Sequence, residues 1–336
     1  MSLPLPFYRF KKKTLTLAYK ISPEKLTEIL QVIKYKKLQQ SILKEDLFNS
    51  LEQKTINDDG TKFILCITKV NKTQIATSEK GDPAVKIWDF HTRTHLFNLK
   101  GHYGNVNSIV AISKTIIASI SNFQSLRLWN LSTKTCISTI DFLFSKVNNV
   151  IVLKLSHLKV RRVYLSFASI KTIDINGFYL VKFEDEKITN AAKLNENQIV
   201  CGYNDQYIKI FEVSSKICLK EIYVETVARD ISVMNEELVF FTGYGRRSID
   251  IWDTSSGKLF KSLNGNDYFF ESIMKVDKRR IASGCSEYSI KIWDIITGNC
   301  LTSIYTTDMV HCLAKISRTQ IVSGSESGLI EIWNIN

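Results

Sequence analysis

The sequence predicts an all-β protein built as a seven-bladed β-propeller with a short N-terminal helical segment, and three observations carry that expectation. A motif recurs along the chain at a near-constant spacing. Each recurrence lies in a run of alternating apolar and polar residues. Each unit of about 40 residues holds room for four such runs, which is the content of one propeller blade.

The motif is clearest in Ala84-Val85-Lys86-Ile87-Trp88-Asp89, Ser125-Leu126-Arg127-Leu128-Trp129-Asn130, Ser248-Ile249-Asp250-Ile251-Trp252-Asp253, Ser289-Ile290-Lys291-Ile292-Trp293-Asp294 and Leu329-Ile330-Glu331-Ile332-Trp333-Asn334. Phe211 replaces the tryptophan in a sixth copy, and Ile173 replaces it in a degenerate seventh. The anchors at 88, 129, 173, 211, 252, 293 and 333 lie 41, 44, 38, 41, 41 and 40 residues apart. Period-two alternation rich in β-branched and aromatic residues, bounded by Gly, Asn, Asp and Ser, is the chemistry of strands. Within a unit the order is an apolar strand such as Val310–Ile316, a small-residue strand such as Ile321–Ser325, the tryptophan strand, and a fourth strand such as Lys258–Leu263.

Residues 51–336 resemble the WD-repeat family on these units. The resemblance implies a hydrogen-bonded set in each unit, made of a His before the first strand, a Ser in the second, an Asp in the next turn and the Trp. Carried over, the structural anchors are Trp88, Trp129, Phe211, Trp252, Trp293 and Trp333, with His102, Asp82 and Asp205 as the surviving partners. Only the second unit keeps the Gly101-His102 pair, and there Ser121 is expected to stand in register with Trp129. The third unit, about 143–184, is the weakest, and a six-bladed ring with an irregular insertion is the competing arrangement.

The chain reaches Asn336 directly after the third strand of its last unit. An unpaired sheet edge is avoided if another segment completes that blade, and a strand near 50–56 is expected to do so. The domain reading is therefore 1–49 as a basic arm with one or two helices, and 50–336 as the propeller. Half of the formal +12 charge sits in residues 1–50, with ten basic and four acidic side chains. Ser22 as N-cap, Pro23 in the first turn and Leu26, Ile29, Leu30 and Ile33 on one face predict a helix. Residues 22–48 bear a weak likeness to an F-box, the helical motif that docks ubiquitin-ligase adaptors.

Function classes narrow in the same way. The seven cysteines are dispersed without a CxxC pair, and no apolar run approaches a membrane span. An intracellular chain, cytoplasmic or nuclear, is expected. His91 and His95 fall in a strand-to-strand turn, where helical metal geometry does not apply. No Gly-rich phosphate loop or nucleophile elbow is present. No catalytic residue, metal or cofactor is expected.

What remains is a non-catalytic interaction scaffold, a monomer within a larger complex, that binds peptide or protein partners on the top face. Aligning the units places Asn107, Arg229, Glu271 and His311 at the start of innermost strands, and Tyr203, Asn204, Tyr244, Arg246, Arg247 and Tyr288 in the turns before tryptophan strands. Aromatic and guanidinium groups are common interface anchors, and Tyr203, Tyr244, Arg246 and Arg247 beside Arg229 suit an acidic or phosphorylated peptide. The alternatives are an F-box-like substrate receptor of a ubiquitin ligase, and a nucleic-acid-associated protein using the basic arm, of which nucleic acid is the less favoured partner.

Overall fold

A computed structural model describes residues 54–56, 62–122, 125–141, 149–154, 161–166, 172–174, 177–179, 188–215, 217–265 and 268–335. The helical segment, the F-box-like stretch and the basic arm lie outside these residues. Among the described residues every regular element is a strand, so the all-β reading holds there.

The strands form seven four-stranded antiparallel sheets. Their innermost strands are Ile64–Lys69, Val106–Ala111, Asn149–Lys154, Ile188–Lys193, Ala228–Val233, Phe270–Lys275 and Val310–Lys315. Each innermost strand packs beside the next, and the strand of the seventh sheet packs beside that of the first. Side chains are described for six sheets, and the propeller stands on those six. The third sheet is described by its strand pairing alone, and its two outer strands, Thr172–Asp174 and Gly177–Tyr179, are three residues long. The seventh sheet is completed out of sequence: Lys54–Ile56 runs antiparallel to Ile330–Asn334, with Thr55 opposite Glu331.

Burial explains why these sequences hold the arrangement. The second strand of each of the six sheets reads one half-buried residue and then five buried ones. Such a strand has neighbours on both edges and a sheet against each face, so its buried side chains are small or apolar, save Glu79, which pairs with Lys86 at 2.6 Å. Close approach is tightest at glycine. A Cβ on Gly284 would stand 2.8 Å from the Val310 carbonyl oxygen and 2.6 Å from its Cγ1 in the next sheet.

The tryptophans secure the sheets through one repeated bond. The indole Nε1 donates to Thr77 Oγ1 at 2.8 Å from Trp88, to Ser119 at 2.7 Å from Trp129, to Ser283 at 2.9 Å from Trp293 and to Ser323 at 2.8 Å from Trp333. In the second sheet His102 completes the set, with Nε2 2.6 Å from Ser119 Oγ and Nδ1 2.8 Å from Ser125 Oγ. The serine is thus Ser119, not the expected Ser121. The acceptor must lie two residues beyond the tryptophan's cross-strand partner, and Ile117 is that partner. Asp82 holds its turn by accepting the Ala84 amide at 2.9 Å, while Asp205 is half-buried in its turn.

Two sheets lack the bond for visible reasons. In the fourth, Phe211 stands in place of the tryptophan, opposite Ile199, and Cys201 takes the serine position, in an apolar cluster with Tyr203. In the fifth the position is Phe241, and Trp252 Nε1 is buried with no hydrogen-bond partner. At the last residue of three innermost strands, lysines tie sheet to sheet. Lys69 donates to the Ile316 carbonyl, Lys315 to that of Val276, and Lys275 to that of Met234.

Candidate functional site

One irregularity recurs and places the site. In six sheets the pairing of the innermost strand slips after its first residue, leaving Leu65, Asn107, Thr189, Arg229, Glu271 and His311 as the extra residues of β-bulges. A bulge bends its strand and re-aims the side chain it carries. The sequence alignment places the same residues at strand starts, so four of the expected site residues, Asn107, Arg229, Glu271 and His311, occupy bulges.

Three of those four join in one band. The Arg229 guanidinium donates to Glu271 Oε2, and His311 Nδ1 lies 3.5 Å from the same oxygen. Arg229 also lies over the Tyr244 ring at 5.4 Å. On the other side His311 meets the Phe63 ring edge-on at 4.3 Å, and Lys80 sits over Phe63 at 5.8 Å. The band Tyr244–Arg229–Glu271–His311–Phe63–Lys80 therefore crosses the fifth, sixth, seventh and first sheets. Its centre is a carboxylate only 7% exposed under an arginine that is 27% exposed, while Tyr244 at one end is 58% exposed.

Beneath the band Asp230 links three sheets. Its Oδ2 accepts the Ile273 amide at 2.7 Å, and its Oδ1 accepts Asn190 Nδ2 at 3.1 Å. Burial pushes its carboxyl up to about 6, against the lowering by these hydrogen bonds. Burial likewise raises the thiols of Cys66, to about 11, and Cys312, and the Asp230 charge adds to both.

The remaining expected residues separate. Tyr203 is fully buried, against Phe211 and under Lys209, and cannot meet a partner. It ends a second strand, whose faces are both covered, and the sequence reading placed it in the following turn instead. Arg246 is held by carboxylates, 3.0 Å from Glu225 on the connection entering its sheet and 4.0 Å from Asp250 within it. Asn204, Arg247 and Tyr288 are exposed on their turns, and Asn107 is half-buried on its bulge. Phe63, Lys80 and Asp230 were missed. Asp230 carried a signal, as the lone carboxylate inside the innermost strand Ala228–Val233.

His91, His95 and His102 are engaged apart from the band. His95 meets Trp88 and Asn98, His91 meets Phe90 and the Lys72 carbonyl, and burial pushes His102 down to about 4, with Arg127 adding to the shift. Among the described residues no three His, Cys, Asp or Glu side chains stand together as metal ligands. Nor does any helix among them have the length and apolarity to cross a membrane.

Repeated tryptophan strands and four-stranded sheets together make this chain a β-propeller that resembles the WD-repeat proteins. Comparison with curated proteins agrees. Autophagy-related protein 16 of Arabidopsis thaliana is 22% identical over 42% of this chain and 28% of its own length. The DENN domain and WD repeat-containing protein SCD1 of the same plant is 24% identical over 46% of this chain and 13% of its length. Its THO complex subunit 6 is 30% identical over 28% of each. The chain thus spans less than a third of these relatives, and no family model matches it.

Proposed function

We propose that this chain is a non-catalytic interaction platform that takes a peptide or protein partner on the face carrying the bulges. The single observation behind this reading is the band from Tyr244 to Lys80, in which the bulged Arg229, Glu271 and His311 of successive sheets stand side by side between the flanking Tyr244, Phe63 and Lys80. Such groups anchor protein interfaces when a partner covers them. Membership of complexes fits, since one relative is named as a complex subunit.

The ring itself we read as seven-bladed, with the third sheet as its least regular blade and Lys54–Ile56 as the strand that seals it. Supporting this are the seven sheets and the unbroken circuit of innermost strands. The partner is expected to be acidic or phosphorylated, with Lys80 and Arg247 as the exposed cations and Tyr244 as the exposed ring. A monomer within a larger intracellular complex is the assembly this reading favours.

Charge reversal at Arg229 and Arg246 would be a poor test, because both are ion-paired and reversal would set carboxylates against Glu271, Glu225 and Asp250. Tyr244→Ala combined with Arg247→Glu alters exposed groups only. Affinity purification with mass spectrometry should show the main partners depleted from this variant. An unchanged partner profile would remove the bulge face as the docking surface.

A further inference from the structure

On the opposite face, between the first hairpin turns of the sixth and seventh sheets, lies a cavity of about 640 Å³. Five cations line it, Lys275, Lys278, Arg280, Lys315 and Arg318, against one carboxylate, Asp277. The bulges sit at the second position of six-residue strands and Lys275 and Lys315 at the last, so about 13 Å of strand, at roughly 3.3 Å per residue, separates the two faces. This surface is distinct from the proposed partner face, and its chemistry is independent of that reading.

Three of the five cations are fixed by the fold. Lys275 and Lys315 bind the Met234 and Val276 carbonyls, and Arg280 binds Asp277 at 2.7 Å and the Ile335 carbonyl at 3.0 Å. Lys278 and Arg318 are exposed on the two turns and have no ion-pair or hydrogen-bond partner among the described residues. Five positive charges less one negative leave the cleft at +4. A concave site lined by one sign of charge concentrates counter-ions, and guanidinium and ammonium groups match phosphate oxygens. A phosphate monoester carries roughly −1.5 to −2 at neutral pH, so about two would balance the cleft, and the volume suits a small ring or short chain bearing them.

We propose that this cleft binds a compact solute carrying two or more phosphate monoesters, either free in solution or as the headgroup of a lipid. The carbonyl-bound lysines and Arg280 form the floor of the site, and Lys278 and Arg318 close on the phosphates from either turn. Binding neutralises repulsion between the two turns and draws the sixth and seventh sheets together at this end.

Isothermal titration of the full chain with inositol 1,4,5-trisphosphate at near-physiological salt tests the free form. Flotation with phosphatidylcholine vesicles containing phosphatidylinositol 4,5-bisphosphate tests the lipid form, with phosphatidylserine vesicles of equal charge as the reference. Lys278→Glu with Arg318→Glu brings the cleft from +4 to zero, while Lys100→Glu with Lys258→Glu makes the same change of net charge on exposed positions elsewhere. Either probe should bind the parent chain, weaken at least ~10-fold in the cleft variant and keep its affinity in the reference variant. Binding of trisphosphate alone assigns the free solute, and preference for bisphosphate vesicles assigns the lipid. Absence of binding to both probes, or equal weakening in both variants, overturns the proposal.

Discussion

Acid should pull on this fold in two opposing directions, and the two can be separated. His102 titrates at about 4 in the folded chain, because burial disfavours the imidazolium and Arg127 repels it, against 6.5 when free. Below pH 6.5 the unfolded chain therefore binds more protons, and stability present above pH 6.5 is lost as pH falls towards 4. At pH 4.5 that loss is about 2.5 kcal/mol, using ~1.4 kcal/mol per pH unit. Asp230 does the reverse. Its folded carboxyl is raised by burial to about 6 from 3.8, so the folded chain binds the extra proton and gains stability as pH falls from 6 towards 3.8. At pH 4.5 the gain is roughly 1.5 to 2 kcal/mol. The parent chain should thus show little net change from these two groups between pH 7 and 4.5. His102→Gln removes the destabilising arm and leaves the other, so between pH 7 and 4.5 urea unfolding should find the change in this variant's stability about 2 kcal/mol more favourable than the parent's. Asp230→Asn should lose about 2 to 3 kcal/mol over the same change. The comparison uses each variant's slope with pH, so a general loss of stability does not confuse it. If His102→Gln tracked the parent chain across this range, the buried imidazole bonded to Ser119 and Ser125 would not be neutral and the reasoning would fail.

Other substitutions test packing and pairing. Arg229→Ala leaves the Glu271 carboxylate buried without its main partner and should destabilise by about 2 kcal/mol, discounted for the partial exposure of the arginine; adding Glu271→Ala should recover part of it in a chemical-denaturation cycle. Trp293→Phe removes a donor to a buried serine, so it should cost about 1 kcal/mol more than Trp252→Phe, whose indole has no acceptor to lose; equal losses would deny the indole bond a role. Gly284→Ala drives a methyl against the Val310 backbone and should cost about 1–3 kcal/mol by thermal unfolding, whereas a neutral result would mean that the sixth and seventh sheets can part easily.

Most of the architecture was legible because it rests on local periodicity. Alternation, turn residues and anchor spacing are properties of contiguous segments, and a blade is a contiguous segment apart from the one assembled from Lys54–Ile56 and the chain's last strands. The bulge residues were also legible, since the units align on the strands that carry them. What escaped was set by register and by neighbours in the next sheet. Ser119 and Ser121 are equally good serines on paper, and only the pairing of Ile117 with Trp129 decides between them. Tyr203 resembles a turn residue until the strand is seen to extend through it, and Arg229 resembles a free cation until Glu271 of the neighbouring sheet is brought beside it. Contacts between sheets join residues about 40 apart, as with Arg229 and Glu271, or far more, as with Phe63 and His311, and one chain's sequence does not display them.

Everything placed on the bulge face presupposes a ring whose two ends meet. In the antiparallel pair formed by Lys54–Ile56 and Ile330–Asn334, Thr55 lies directly opposite Glu331, and opposite residues of an antiparallel pair stand roughly 4.5–5.5 Å apart between Cα atoms, a separation that a disulfide spans. The most direct measurement is oxidation of the Thr55→Cys, Glu331→Cys variant followed by peptide mapping. A bridge between positions 55 and 331, formed within single chains and raising the melting temperature, is the outcome expected. Thiols at those positions that stay free, or that join only to other cysteines or other chains, would mean the front strand does not seat there and the ring is not sealed as described.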